Sequence, residues 1–402
     1  MFSKDKQKNK NEYDVSKVRV RNSYYTFSKE YPGKNVLHTK RTVRKRRARI
    51  FALKACCAFL CFLAISIGAF FVTDLGLKFS YKSDSSVSDT EKADETRNVL
   101  FDEGIRGMCF PVSHLGDEDY MKAFVSNLKM KGLNSVVIDF KDKNGNICFS
   151  SRNKVAMLLS SAVYDNETVR NSLAFFKAKR LNVVARIYCF EDDLTAKNNE
   201  SFSLKYLGSD VIWLDGGDEE GGKAWLNPFS KNARNFLLDI IKETVSFGVD
   251  GIILESVCFP YKGATDTVGF PERKDNESKN QVLLKFLSDA KKKAGKGVYV
   301  VSSLTASDAK NGNREKFDGS ILKGKTDCIG IDISELPDGY VIDKKSKYIS
   351  LISLLSEIKS KLSQDSNTLI FIQKEDYTSS LIRKLSKNGF QSYVIFDEEG
   401  IY

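Results

Sequence analysis

A single glutamate stands inside an apolar segment at 251–260, whose sequence is GIILESVCFP. A carboxylate among apolar side chains loses its hydration, so Glu255 needs either a partner or a chemical task. Enzymes use carboxyl groups in such surroundings as general acids or nucleophiles, because burial and neighbouring charges shift their pKa. Glu255 is therefore the first candidate for a catalytic residue.

Other polar residues stand at comparable positions, near the C-terminal ends of short apolar runs. They are Asp139, Lys141, Arg186, Asp332, Gln373 and Asp397. Each of them alone has a structural explanation, since an aspartate can cap the following turn and an arginine can neutralise a carboxylate. Their recurrence at the same end of several runs predicts that these side chains share one polar pocket.

The elements that position these residues follow from the alternation of apolar runs and helical periodicity. Strands are predicted at 105–112, 135–141, 182–190, 251–257, 298–305, 328–334, 368–374 and 392–398, and helices at 117–131, 166–180, 229–247, 277–294, 347–363 and 377–388. Eight strand–helix units predict an α/β fold, a TIM-like (β/α)8 barrel over 103–402. An open doubly wound sheet is the rival, but no strand is followed by the G-x-G-x-x-G turn typical of that fold.

The charge of the chain is concentrated at its N-terminus. Residues 1–54 carry 17 Lys and Arg against 4 Asp and Glu, whereas the rest of the chain has a net charge of −2. Directly after this basic region, 55–73 form 19 uncharged and mostly apolar residues, about enough for one membrane-spanning helix. We therefore expect a basic cytoplasmic tail (1–49), a signal-anchor helix (50–74), a flexible polar linker (75–102) and an extracellular barrel. A cleaved signal peptide is disfavoured, because the basic region is far too long for one.

The basic tail and the cysteines indicate which partners, metals and cofactors to expect. Basic residues beside a membrane span orient it and contact anionic lipid headgroups, and the tail has no nucleic-acid recognition module, so we expect lipid contact and no nucleic-acid partner. The five cysteines beyond the span lack metal-ligand spacing. The sequence thus predicts neither a metal site nor a cofactor, and it favours buried free thiols over disulfides.

Five ordered blocks carry a resemblance to a known family. They read RGMCFPVS (106–113), NSVVIDFKDKNG (134–145), VVARIYCFEDD (183–193), AWLNPFS (224–230) and GVDGIILESVCFP (248–260). In these blocks the chain resembles a bacterial family of glycoside-hydrolase-like barrels, formerly of unknown function and distantly similar to α-amylase-type barrels. The resemblance implies a TIM barrel and places Glu255 at the family's fourth-strand acid position.

The sequence departs from the family pattern around that acid. Glu255 replaces an aspartate, Ser256 a tyrosine, Cys258 an arginine, and Ser303 stands where an acid is expected. Asp332 is a new carboxylate on the sixth strand. Because a thiol is a weak and normally neutral donor, Cys258 cannot replace the missing arginine.

Glycosidic hydrolysis requires two carboxyl groups that flank the scissile bond. We expect Glu255 to be one of them, with Asp139, Asp332 or Asp192 as its partner. The predicted substrate-binding residues are Lys141, Arg186, Tyr188, Trp225, Asn227 and Gln373. The resemblance implies a hydrolase of cell-envelope or extracellular polysaccharide. Two alternatives remain open from the sequence: a catalytically degenerate barrel that binds glycan, and an envelope scaffold whose tail recruits cytoplasmic partners.

Overall fold

The structure is a computed structural model that describes residues 103–159, 162–217, 221–311, 325–362 and 367–396. The predicted tail, the predicted anchor and the whole of the predicted linker lie outside these ranges. Within the described residues, no helix combines the length and the apolar composition that crossing a bilayer requires.

Eight parallel strands close into a barrel. They are β1 (Arg106–Phe110), β2 (Ser135–Lys141), β3 (Asn182–Tyr188), β4 (Gly251–Glu255), β5 (Tyr299–Thr305), β6 (Cys328–Asp332), β7 (Asn367–Gln373) and β8 (Ser392–Phe396). Each strand pairs with the next one along the chain, and β8 closes the ring on β1. A short antiparallel ribbon joins Lys205–Tyr206 to Val268–Gly269 outside the barrel. The predicted α/β barrel is confirmed.

Helices occupy the connections between the strands. They are α1 (Glu118–Met130), α2 (Lys154–Leu158), α3 (Asn166–Ala178), α4 (Asp193–Asn198), α5 (Lys231–Val245), α6 (Lys279–Ala294), α7 (Ala306–Asn311), α8 (Ile349–Leu362) and α9 (Ser379–Lys387). All six predicted helices are present. Side chains cap the starts of α1, α3, α5, α6 and α9. Ser278, for example, forms a capping box with Gln281, which satisfies backbone N–H groups that the first helical turn leaves free.

The core has two layers, because successive residues of a strand point to opposite faces. An outer layer lies between the strands and the helices. The inner layer fills the barrel and includes Val137, Val184, Ile253, Val301, Leu369, Phe371 and Val394. Gly330 of β6 leaves room for the ring of Phe371, which a Cβ at Gly330 would approach to 2.6 Å. The packed interior leaves only the ends of the barrel for a site.

Strand β2 contains one extra residue near its C-terminal end. Asp139 pairs with Arg186, but Lys141 pairs with Ile187, so that Phe140 is the extra residue of a β-bulge. The bulge reverses the side-chain alternation, and Lys141 faces the outer layer with Ile187 instead of the barrel interior with Asp139. This reversal decides which charged residues of β2 reach the end of the barrel.

Candidate active site

A cleft of about 700 Å³ opens at the C-terminal ends of the strands. Residues that follow or end every one of the eight strands line it. From the predicted set, the cleft brings together Asp139, Arg186, Tyr188, Glu255, Asp332 and Gln373. A polar pocket at the carboxyl ends of barrel strands is the usual place for an active site in this fold. Asp397, also a strand-end candidate, lies outside the described residues.

The alternation of the strands explains why these residues meet. Val137, Val184, Ile253 and Val301 belong to the inner layer, and the residues two positions later are Asp139, Arg186, Glu255 and Ser303. Since side chains two apart point to the same face, those four side chains form the next layer towards the mouth of the barrel. The same step leads from Phe371 to Gln373 on β7. The apolar interior is therefore the floor of the cleft.

Glu255 is partly buried at the end of β4, where it accepts a hydrogen bond from the hydroxyl group of Ser303. Burial raises the pKa of Glu255 from its ordinary value of 4.5 to about 7. The positive charge of Arg186 and the hydrogen bond from Ser303 oppose this shift, while the negative charges of Asp332 and Asp139 add to it. A carboxyl group with this pKa can hold a proton near neutral pH and give it up within the same range.

Asp139 and Arg186 form a two-point ion pair beside Glu255. The guanidinium Nε donates to Oδ1 at 2.5 Å and Nη2 donates to Oδ2 at 2.8 Å. The guanidinium group also stacks over the ring of Phe396, 4.5 Å from its centroid. Burial alone would lower the pKa of Arg186, but the adjacent Asp139 carboxylate raises it well above its usual value. The ion pair fixes the guanidinium group of Arg186 in place next to the catalytic candidate.

Asp332, at the end of β6, and Tyr188, at the end of β3, both lie near Glu255. Asp332 accepts a hydrogen bond from the backbone N–H of Ser334 at 2.9 Å, and its negative charge contributes to the raised pKa of Glu255. Tyr188 pairs directly with Glu255 in the β3–β4 register. Asp332 is therefore a second carboxyl group close enough to interact electrostatically with Glu255.

The structure places Asp192 and Lys141 outside the cleft. Both side chains are fully buried and form an ion pair in which Lys141 Nζ lies 3.0 Å from Asp192 Oδ2. Lys141 also donates to the carbonyl group of Tyr188 at 2.8 Å, and Asp192 caps α4 by accepting from the backbone N–H of Thr195. The predicted roles of Asp192 as a catalytic partner and of Lys141 as a substrate ligand do not fit these positions, because neither group reaches solvent.

Trp225 and Asn227 also lie away from the cleft, each with about 1% of its surface exposed. The indole N–H of Trp225 donates to Asp215 at 3.1 Å, and the Asn227 amide donates to the carbonyl group of Pro271 at 2.6 Å. The predicted stacking of a sugar on Trp225 is therefore not possible in this structure. Trp225 instead packs edge-on against Tyr261, a cleft residue, with ring centroids 6.0 Å apart.

Cleft residues that the sequence interpretation missed include Glu191, Tyr261, Asp308 and Glu335. Glu191 precedes the predicted Asp192 by one position and accepts a hydrogen bond from the Ser256 hydroxyl group at 3.0 Å. Tyr261 and Glu335 lie in loops beyond β4 and β6, and Asp308 lies in the short helix α7 beyond β5, so strand alternation does not predict their direction. Continued alternation from Arg186 and Tyr188 would have placed Asp192 in the cleft instead of Glu191, and it fails because the strand ends at Tyr188.

The backbone turns sharply directly after Glu255. Ser256 has a φ of 50°, in the left-handed region that residues other than glycine rarely adopt. Its hydroxyl group bonds to Glu191, and its carbonyl group accepts from the backbone N–H of Phe190. Strained residues of this kind cluster at functional sites, where the surrounding contacts hold them in place. Here the turn fixes where β4 ends and thus where the Glu255 carboxyl group lies.

The cleft does not gather ligands for a metal ion. Among the described residues, no three His, Cys, Asp or Glu side chains converge closely enough to hold one. The five cysteines of the described ranges are buried thiols, as predicted. The arrangement offers acid–base chemistry by carboxyl groups, with Arg186 as a fixed cation and Tyr188 and Tyr261 as aromatic surfaces.

The profile of a family described as a putative glycosyl hydrolase domain matches residues 107–310, just over half of the chain. The chain belongs to this family. The matched range runs from β1 to α7 and contains Asp139, Arg186, Glu255 and Ser303, whereas Asp332 lies beyond it. The family expected from the sequence blocks is confirmed.

Several solved structures are similar to this chain at low sequence identity. A hypothetical protein from Ruminiclostridium thermocellum is 21% identical, with a TM-score of 0.42, over 48% of this chain and 96% of that one. A cycloisomaltooligosaccharide glucanotransferase from Paenibacillus sp. is 12% identical, with a TM-score of 0.46, over 66% of this chain and 38% of that one. A chitobiase from Flavobacterium johnsoniae is 10% identical, with a TM-score of 0.44, over 73% of this chain and 44% of that one.

The chain thus spans less than half the length of these two enzymes. At such identities and TM-scores, the similarities say nothing about the chemistry of this chain. No curated protein matches it.

Proposed function

We propose that this protein is a membrane-anchored extracytoplasmic glycoside hydrolase that cleaves cell-envelope or extracellular polysaccharide with two carboxyl groups. The observation that carries the proposal is Glu255, a carboxyl group with a pKa of about 7 at the floor of an open cleft, with Asp332 close enough to affect that pKa. Membership of a glycosyl hydrolase family supports the same reaction class.

In this mechanism Glu255 is the general acid. At neutral pH a large fraction of its carboxyl groups carries a proton, which passes to the glycosidic oxygen as the bond to the anomeric carbon breaks. Asp332, as the carboxylate, supports the other half of the reaction, either by attacking the anomeric carbon or by taking a proton from the attacking water. Asp139 is already bound at both oxygens by Arg186, so it is the weaker candidate for that role.

The remaining cleft residues position the sugar. Tyr188 and Tyr261 offer aromatic faces of the kind on which pyranose rings stack, and Gln373 provides both a donor and an acceptor for hydroxyl groups. Arg186 keeps a positive charge beside the reacting groups throughout. Trp225 contributes indirectly, because its edge-on contact supports the ring of Tyr261.

The experiment is turnover by the purified full-length chain, in detergent, on a panel of envelope and capsular polysaccharides, read as new reducing ends. Hydrolysis that disappears in the Glu255→Gln variant supports the enzyme. Glycan binding without turnover in the wild-type protein would instead support the catalytically degenerate barrel. If neither turnover nor binding occurs on the whole panel, both glycan functions are excluded and the scaffold alternative gains.

The Ser303→Ala variant is expected to move the alkaline limb of the pH–activity profile to higher pH. The Ser303 hydroxyl group lowers the pKa of Glu255 by stabilising its ionised form, so its removal raises that pKa. Because a general acid must be protonated to act, activity would then persist to higher pH. The measurement is kcat/KM between about pH 5 and 9.

The neighbouring Ser302→Ala variant is the matched control. Ser302 is fully buried, and its hydroxyl group has no hydrogen-bond partner, so its removal should leave the limb in place. If the alkaline limb of the pH–activity profile does not move in Ser303→Ala, or moves to lower pH, Glu255 is not the titrating acid.

Membrane anchoring is the second part of the proposal, and it rests on the apolar segment 55–73 behind a strongly basic region. Protease added to intact cells should digest the barrel but spare a tag at the N-terminus. Replacing Leu60 and Ile65 by arginine should release the protein from the membrane fraction, since charges at the centre of a span are costly. Recovery of the unsubstituted protein in the soluble fraction would contradict the membrane anchor.

A further inference from the structure

We propose that the substrate is a polysaccharide of amino sugars that carry free, protonated amino groups, and that the acidic side of the cleft selects it. This inference rests on the proposed function, because it concerns the same cleft. It starts from a charge imbalance. Seven Asp and Glu residues line the cleft, against three Lys and Arg residues.

The imbalance is concentrated on one side. Five carboxyl groups belong to residues that end or follow four consecutive strands, β3 to β6, and we call them the acidic arc: Glu191, Glu255, Asp308, Asp332 and Glu335. The opposite side of the cleft, formed by β7, β8 and β1, presents Gln373, Phe396, Cys109 and Ser113. A glycan in the cleft therefore has neutral groups on one side and carboxyl groups on the other.

The cations of the cleft do not neutralise the acidic arc. Arg186 is bound by Asp139 through two hydrogen bonds, so this pair contributes no net charge. Lys262 stands 5.2 Å from the ring centroid of Tyr261, and Lys143 follows β2 on another side of the cleft. Even with Glu255 protonated as the general acid, two lysines thus remain against the other four carboxyl groups of the arc and Asp142. Such a cleft repels anionic sugars and attracts cationic ones.

Tyr261 adds an aromatic face to the acidic arc. It lies in the cleft after β4, where Trp225 supports its ring from the side. Burial raises the pKa of Tyr261, and Cys258, Glu191, Glu335 and Asp308, which line the same cleft, raise it further. An aromatic face beside carboxylates is the arrangement that binds ammonium groups, through cation–π attraction and charge.

A metal ion does not explain the arc. A hard cation such as Ca²⁺ requires six to eight oxygen ligands gathered at one point. Among the described residues no three potential ligands converge in this way, so the arc's carboxyl groups are spread along the cleft. Carboxyl groups that do not converge on one point can instead contact several ammonium groups of one polymer.

The test compares binding of oligosaccharides that differ only in charge. The full-length Glu255→Gln chain, which does not consume its ligand, is titrated with hexaglucosamine, hexa-N-acetylglucosamine and hexagalacturonate at about pH 5.5, where amines are protonated. We expect the free-amine hexamer to bind about tenfold more tightly than the acetylated one at low salt. This ratio should shrink in about 0.5 M salt, because salt screens exposed charges.

A second variant tests the arc itself. Adding Glu335→Gln should reduce the preference for the free amine about threefold and leave binding of the acetylated hexamer unchanged. Asp119→Asn is the matched control, since it removes one negative charge from the exposed start of α1, outside the cleft.

Equal or tighter binding of the acetylated or anionic hexamer overturns the inference, and so does the absence of any binding. The proposed hydrolase has a separate outcome. If Glu255-dependent cleavage of a neutral glycan is observed together with no preference for the amine, the enzyme stands and the substrate class is wrong. If the amine is preferred but no glycan of any charge is cleaved, the selectivity stands and the hydrolase is wrong.

Discussion

Replacing Glu255 by glutamine is expected to abolish glycan hydrolysis while the barrel stays folded. Glutamine has nearly the same shape but no acidic proton, so the variant loses general acid catalysis, which accounts for about 10²–10⁴ in rate. The loss should appear in kcat, with substrate binding largely retained, because the shape of the cleft does not change. Initial rates on the best polysaccharide of the panel measure it.

Glu375→Gln is a suitable control for this experiment. Glu375 lies in a short 3₁₀ turn after β7, is exposed and does not line the cleft, so its neutralisation should leave kcat unchanged. A Glu255→Gln variant that retains more than about one tenth of wild-type kcat would remove Glu255 from the mechanism.

Glu255→Gln is expected to lower activity but to make the stability of the folded protein less sensitive to rising pH. The folded-state pKa of Glu255, about 7, is above its ordinary value of 4.5, so the folded state binds the proton more tightly than the unfolded state. The stabilisation from this proton is fully present below pH 4.5 and is lost as pH rises through 7. Glutamine does not titrate. The unfolding free energy of the wild type should therefore fall relative to the variant between these pH values, by at most about 3 kcal/mol.

The largest loss of stability is expected from Lys141→Met. Lys141 and Asp192 are both fully buried, and methionine fills much of the space of lysine but leaves the Asp192 carboxylate without its counter-charge. Breaking a buried ion pair in this way costs about 3–5 kcal/mol. Lys141→Met also loses the bond to the Tyr188 carbonyl group, which lies beside the cleft. Urea denaturation followed by far-UV circular dichroism measures the change.

Two further variants make this result specific. In Lys141→Met with Asp192→Asn neither charge remains, and the amide oxygen can still cap α4, so most of the lost stability should return. Lys197→Met removes the exposed partner of Asp193 on the same helix and should cost about 1 kcal/mol or less. Equal destabilisation by Lys141→Met and Lys197→Met would mean that removing a charge from the buried pair costs no more than removing one from the exposed pair.

Much of the fold was predictable because it depends on local patterns. The eight apolar runs became the eight strands, and periodic segments such as 229–247 became helices such as Lys231–Val245. These signals repeat along the chain, so an error in one unit does not change the architecture. The short helices α2, α4 and α7 were not predicted individually, because five or six residues are too few for a periodicity to appear.

The candidate site was predictable only where strand alternation continued. Asp139, Arg186 and Glu255 stand in phase with apolar interior residues, and the structure brings them together. Asp192 and Glu191 are adjacent acids beyond the end of β3, where alternation no longer determines direction; the structure places Glu191 in the cleft and Asp192 in the core. Trp225 was misassigned for a different reason, since burial of a large aromatic side chain depends on contacts far away in sequence.

Because of the extra residue in β2, the charge of the cleft depends on the register of this strand as well as on its composition. Asp139 and Lys141 differ by two positions, yet Phe140 sends one to the barrel mouth and the other to the outer core. If the bulge were lost and no residue removed, regular alternation would turn Lys141 into the cleft and leave Asp192 without its counter-charge, whereas deleting Phe140 together with the bulge would leave the lysine facing the outer core. In barrels of this type, the presence or absence of one bulge can therefore change the charge that a substrate meets, and alignments that slip by one residue at this strand will assign the wrong charge to the site.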